Sequence, residues 1–197
     1  MKRVRYAVLA SLFPAVLLTA GCDLSDEIEA RRAPAEDSVP DAPAPVLNME
    51  VEPLPEAVIE QRDALLAVLE RDSVRRLARY AEQFEGFRSN YGDLSHYEHW
   101  YLLRRAGIDP VSATLQIFEE PYAVKDFGAE KYFIWPDFAA RTNEELQHDR
   151  LSFSERARIL TLIGEDGLER IRNGESYPGF RLAIREDGTW VYLLQDN

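Results

Sequence analysis

Between Asp23 and Glu56 the chain carries no aromatic residue, six of its 11 prolines, and ten acidic side chains against only Arg31 and Arg32. Such a segment holds too little apolar surface to offset the entropy lost on ordering it. Any core must come from the residues C-terminal to it. Residues 57–197, about 140 of them, suffice for one core that removes roughly two-thirds of the unfolded surface from water. The expected organisation is a leader over residues 1–21, Cys22 with a solvated acidic tether to residue 56, and a globular domain over 57–197. As a loose coil the tether reaches roughly 30–40 Å, and more where proline and like charge stiffen it. A solvated spacer is the expectation for the whole segment, and a recognition peptide in Ala42–Leu47 (Ala-Pro-Ala-Pro-Val-Leu) is the less favoured alternative.

The leader is basic at its start, with Lys2, Arg3 and Arg5, and apolar from Ala7 to Ala20 apart from Ser11, Pro14 and Thr19. That run has the length of a signal-peptide core and falls short of the ~20 residues a membrane span needs. It ends in Leu18-Thr19-Ala20-Gly21-Cys22, with small residues ahead of the only cysteine in the chain. One cysteine excludes an internal disulfide framework and a cysteine-only zinc site.

The segment Leu18–Cys22 resembles the lipobox of bacterial lipoproteins, with Thr19 standing where leucine is commonest. The resemblance implies cleavage before Cys22, diacylation of its thiol, and acylation of the new amino group. A lipid bilayer is then a partner through acylated Cys22, because at ~0.8 kcal/mol per buried CH₂ two or three chains hold a protein there essentially permanently. Asp23 resembles an inner-membrane retention signal of such lipoproteins. The expected location is therefore the cell envelope, anchored to a membrane and facing the periplasm. A net charge of -12 argues against nucleic acid as a partner.

Within the domain, Val58, Ile59, Leu65, Leu66 and Leu69 recur near the 3.6 period of a first helix. Asp72-Ser73 offers an N-cap for a second, with Val74, Leu77, Ala78 and Ala81 on one face and Arg75, Arg76 and Arg79 opposite. A basic cluster of that kind binds phosphate or, in a domain this acidic, pairs with local carboxylates, and the second is the expectation. Asp93 is the expected cap of a third helix reaching Ala106 and stopped by Gly107. Asp109-Pro110 opens a fourth, and Pro121 closes that segment. Short strands are expected next, over Tyr122–Phe127 and Lys131–Trp135. Ser152 and Glu155 form a capping-box pattern, and a shorter helix around Leu168 and Ile171 ends at Asn173-Gly174. Phe180–Arg185 and Thr189–Gln195 flank Asp187-Gly188, a preferred pair for a tight hairpin turn. The expected fold is α+β: a helix-rich domain packed on a small antiparallel sheet with a C-terminal β-hairpin.

An opening helix pair followed by strands resembles the cystatin and NTF2-like α+β folds, which hold a pocket between sheet and helices but need a longer curved sheet than these strands provide. Phe133-Ile134-Trp135-Pro136 and Gly179–Leu194 resemble bacterial envelope proteins with an Asp-Gly-Thr-Trp terminal hairpin, a resemblance that implies no particular activity.

Candidate ligand-binding residues are His96, His99, Trp100, Tyr101 and Trp135. His96 and His99 lie three apart on the third helix and can face one metal only with His148 or a distant carboxylate as third ligand, and the zincin spacing is absent. The expectation is no metal and no cofactor. Phe84, Phe87, Tyr91, Tyr97, Trp100 and Tyr101 read as core at helical spacing, as do Tyr132, Phe133 and Trp135; a pocket, if present, belongs between the two groups. The acidic doublets Glu119-Glu120, Glu144-Glu145, Glu165-Asp166 and Glu186-Asp187 diverge along the backbone and read as solvated surface rather than acid/base dyads. No Gly-x-Ser-x-Gly, Ser-x-x-Lys or phosphate-loop pattern occurs. The leading expectation is a non-catalytic binding or accessory module, engaging an envelope protein partner or small ligand. The alternative is an envelope enzyme, acting on cell-wall material, with a pocket between helices and sheet. A passive structural lipoprotein is the third.

Overall fold

The structure, a computed structural model, describes residues 52–196. The expected leader, the lipobox-like segment with Cys22, and the expected tether up to residue 51 lie outside the described residues. The domain is α+β. Four helices come first: α1 (Glu56–Leu69), α2 (Val74–Ala81), α3 (His96–Arg105) and α4 (Pro110–Phe118). Strands β1 (Ala123–Phe127) and β2 (Glu130–Trp135) lead through a short 3₁₀ turn, Asp137–Ala140, to α5 (Phe153–Arg172); β3 (Arg181–Arg185) and β4 (Trp190–Leu194) close the chain. The strands form one antiparallel sheet in the order β1-β2-β3-β4.

Local chemistry explains most boundaries. Ser73 Oγ accepts from the Arg76 amide, and Asp109 accepts from the Val111 amide with Pro110 in the first turn. Ser152 and Glu155 close a reciprocal capping box at α5. Gly164 breaks α5 at φ 69°, a left-handed value that tolerates no ordinary side chain cheaply, so Phe153–Arg172 is two helical pieces, with Leu168 and Ile171 buried on the second. The cap of α3 is Ser95 rather than Asp93: Ser95 accepts from the Glu98 amide while Glu98 reaches back to the Ser95 amide, and Asp93 has no Glu or Gln three residues on to complete such a box.

The C-terminal hairpin also departs from the expected tight turn. The Arg185 amide donates to the Thr189 carbonyl, which leaves a three-residue loop, Glu186-Asp187-Gly188. Only Gly188 has positive φ (85°) there, so the two-residue turn with both central residues left-handed does not form. A Cβ at Gly188 would also lie 2.9 Å from the Ala57 carbonyl oxygen, so the loop sits against the start of α1. Farther along, Ile184 pairs with Trp190 while Ala183 pairs with Tyr192, leaving Val191 as a bulge. The extra residue rotates β4, so Trp190 and Leu193 both join Phe133, Trp135, Leu182 and Ile184 in the main core.

α1 and α4 lie against β3, and the space between them and the sheet is filled by large side chains. Trp100, Trp135, Trp190 and Phe133 are fully buried. At about 25 cal/mol per Å² and 150–250 Å² apiece, each such aromatic supplies roughly 4–6 kcal/mol of gross burial. The contour of α1 is narrower than its periodicity suggests: Val58, Leu65 and Leu69 are buried, whereas Ile59 is exposed. A second cluster, Phe138, Leu146, Leu151, Ile159, Leu168, Ile171 and Tyr177, gathers around α5, and Leu162 packs against both.

The folded contacts begin before α1. The Tyr122 hydroxyl donates to the Glu52 carbonyl at 2.7 Å, Lys131 Nζ meets Glu52 Oε1 at 2.6 Å, and Leu54 packs on the core. Residues 52–55, expected to be the end of the tether, therefore lie on the domain. No helix among the described residues is long and apolar enough to cross a membrane.

Candidate functional site

The capping box at Ser95 sets the phase of α3, and with it the direction of both histidines. His96 faces inward: its Nδ1 is 2.8 Å from Ser89 Oγ, and its ring meets Phe87 edge-on at 5.0 Å. Burial lowers its pKa below the usual 6.5, only partly countered by the Glu82 carboxylate. His99 is lowered too, first by burial and then by the neighbouring His96. Both are uncharged imidazoles near neutral pH, able to donate and accept hydrogen bonds.

His99 lines a surface cleft of about 400 Å³ together with Asn90, Tyr91, Gly92, Leu94, Gln195 and Asp196. Two of these residues are braced by Arg181, whose Nη2 donates to the Tyr91 hydroxyl at 2.7 Å and to Asp196 Oδ1 at 2.8 Å. Asn90 fixes the rim, donating to the Leu94 carbonyl and accepting from the Gly92 amide. Gln195 Oε1 is buried and has no hydrogen-bond partner among the described residues. The cleft thus combines exposed apolar surface on Tyr91 and Leu94 with a neutral imidazole. It can bind by shape and hydrogen bonding, and it shows no paired acid and base.

The five candidate residues do not converge. Trp100 and Trp135 belong to the same filled core, where Trp100 packs on Trp190 and Trp135 packs on Phe118 and Tyr122. The space between the two aromatic groups is that core, as their helical spacing suggested, and not the alternative pocket. Tyr101 is exposed and stacks on Tyr97 at 5.8 Å, on the outer side of α3. His148 is exposed in the loop before α5, and among the described residues no three His, Cys, Asp or Glu side chains are grouped to hold a metal.

No known protein family, curated protein or solved structure matches the chain. Whatever this surface does must be read from its own chemistry.

One charge cluster went unread in the sequence. Asp137, only 5% exposed, lies in the 3₁₀ turn between Arg141 Nη2 and Arg158 Nη2, each 2.7 Å away. Arg158 Nε also meets Glu120 at 2.7 Å and Arg141 meets Glu155 at 2.7 Å, and both guanidiniums lie over the Phe138 ring. Glu120 is accordingly half-buried, not the solvated carboxylate its doublet suggested. Every charge here has a partner, so the cluster ties the segment after α4, the turn and α5 together and leaves no group free for chemistry. Its members stand 4 to 38 positions apart, beyond the reach of a local motif.

A second cluster is the basic one expected at Arg75, Arg76 and Arg79. Arg75 lies over the Tyr97 ring at 5.5 Å, and Arg71, Arg76 and Arg79 line a groove of about 470 Å³ between α1 and α2. Among the described residues the expected pairing of these arginines with local carboxylates does not occur. Asp72, which lies between Arg71 and Arg76 in the chain, is instead held by Arg104 Nη2 at 2.6 Å.

Proposed function

We propose that the protein is a lipid-anchored bacterial envelope protein whose domain serves as a non-catalytic binding or accessory module. The observation that carries this reading is the lipobox-like Leu18–Cys22, which sets the only cysteine of the chain at the acylation position after a signal-length apolar run. Anchoring confines the domain to a surface and raises its effective concentration for neighbours there. Support for binding rather than catalysis comes from the domain itself. The space an enzyme pocket would occupy between helices and sheet is taken by Trp100, Trp135 and Trp190, and the His99 cleft presents apolar and neutral polar groups on the outside. Either an envelope protein segment or a small ligand suits that cleft.

Metabolic labelling with a palmitate analogue tests the anchor: the natural chain takes up label and fractionates with membranes, and Cys22→Ser does neither. Label on Cys22→Ser would refute it. In-cell crosslinking followed by mass spectrometry tests the module, with one dominant partner expected and Leu94→Asp in the cleft rim expected to abolish it. Turnover of isolated cell-wall material by the purified protein would establish the enzyme reading instead.

A further inference from the structure

The groove between α1 and α2 is a site for a phosphoryl oxyanion, we infer, with Arg71, Arg76 and Arg79 as its cationic wall and Tyr80 and Gln83 as neutral donors. Arg76, Arg79 and Tyr80 follow the i, i+3, i+4 spacing of one face of α2, Gln83 joins them from the turn after it, and Arg71 from the turn after α1, with Ala67 and Val68 also lining the groove. Among the described residues Arg104, Arg141, Arg158, Arg181 and Arg185 each pair with at least one carboxylate, whereas Arg75, Arg88, Arg105, Arg150 and Arg156 do not; what sets Arg71, Arg76 and Arg79 apart is that they line one groove together. Among the described residues Arg71, Arg76 and Arg79 form no ion pair, although the chain has 35 acidic side chains for 23 basic ones. Three guanidiniums gathered without a counter-charge repel one another, and an oxyanion between them reverses that sign.

The hydroxyl of Tyr80 strengthens the assignment. It accepts from Gln61 Nε2 at 3.0 Å, which leaves its own hydrogen to donate. Burial raises its pKa, so that hydrogen stays in place. Guanidinium forks match phosphate oxygens two at a time, so a phosphate group gains parallel charge-assisted bonds that chloride cannot make. The groove is open and its base is apolar, which suits a phosphate carried on a larger body. That body is either a phospholipid headgroup or a soluble phosphate compound. The inference stands on the groove alone and survives if Cys22 proves not to be acylated.

The test uses the full chain purified in detergent, with inorganic pyrophosphate as probe and sodium chloride at equal ionic strength as control. Calorimetric titration should show saturable pyrophosphate binding. Arg76→Gln with Arg79→Gln should weaken it by about tenfold or more while the unliganded thermal transition holds, because both side chains are exposed. Heat indistinguishable from the chloride control, or affinity unchanged in the double variant, would overturn the assignment. So would pyrophosphate binding that emerges only after residues 23–51 are deleted, since the chain's own acidic stretch would then be the occupant. The source is read from Gln83→Cys reconstituted into phosphatidylcholine vesicles with and without phosphatidylglycerol. Maleimide labelling slowed by phosphatidylglycerol assigns a headgroup, and equal rates with protection by pyrophosphate assign a soluble phosphate.

Discussion

Trp100 of α3 and Trp190 of β4 stack at 6.4 Å with their rings 20° from parallel, and the indole Nε1 of each is buried without a hydrogen-bond partner. Two unsatisfied donors at the centre of a core cost stability, yet the rings around them, Phe87 at 4.3 Å from Trp190 and Tyr80 at 6.0 Å, make this contact the joint between helices and sheet. Large aromatic burial outweighs the desolvation of two N–H groups, each worth about 1–3 kcal/mol.

That balance sets an order of cost for substitutions. Trp190→Ala empties the joint and should lower unfolding free energy by about 3–5 kcal/mol. Trp100→Phe loses ring area but also removes an unpartnered donor, so its cost should be clearly smaller than that of Trp100→Ala. Urea denaturation followed by circular dichroism gives the ranking, and equal losses for Phe and Ala at position 100 would contradict it.

Removing Asp137 leaves Arg141 and Arg158 facing each other over Phe138 without their shared counter-charge. Asp137→Ala should therefore destabilise by about 3 kcal/mol, the lower end for a broken buried pair because both guanidiniums keep some water. Glu165→Ala, which breaks the exposed pair with Arg172, should cost under about 0.5 kcal/mol. The two denaturation midpoints check both figures.

His96 and His99 have folded pKa values below the 6.5 of a free imidazole. The unfolded chain then binds more protons in that window, so the stabilisation is complete above pH 6.5 and is lost as pH falls through the lower folded values. Thermal melts should show the transition falling on the acid side of 6.5, and His96→Gln should flatten that slope. NMR titration should place both midpoints below 6.5; midpoints above it would invert the sign.

Asp187 behaves as a second, more acidic switch. Its hydrogen bonds from Arg185, and then from the Thr189 amide, lower its pKa to about 2. It therefore contributes above the unfolded value of about 3.9 and stops contributing as pH falls toward 2. Because the side chain is largely exposed, the effect should stay under about 1 kcal/mol. Asp187→Asn should lower the neutral-pH melting point slightly and leave it nearly unchanged at pH 2.

The contacts of Glu52 and Leu54 divide two truncations that look alike in sequence. Deleting residues 23–51 should leave the thermal transition in place, whereas deleting 23–56 removes the Tyr122 and Lys131 bonds and the Leu54 packing and should lower it by several degrees. Identical transitions would show that these contacts carry no stability.

Features set within a few residues were legible in the sequence. Ser73, Asp109-Pro110 and the Ser152–Glu155 box mark helix starts because a cap reaches only two or three positions along the chain. The α+β class, the four strands and the terminal hairpin come from period and turn chemistry in the same way. Only the tertiary structure decided the choices between near-equal local options and the pairings over long separations. Ser95 displaces Asp93 two positions away because Glu98 completes its box. The Val191 bulge turns Trp190 to the face that β4 shares with Leu193. The candidate site fared likewise: His99 reached a cleft only because Gln195 and Asp196, almost a hundred positions on, return beside it, while Trp100 and Trp135 were drawn into the core. A single sequence carries each residue's local preference, but which distant partner it meets depends on the summed packing of the whole chain, and for Arg71, Arg76 and Arg79 that sum left three charges without a partner in the domain.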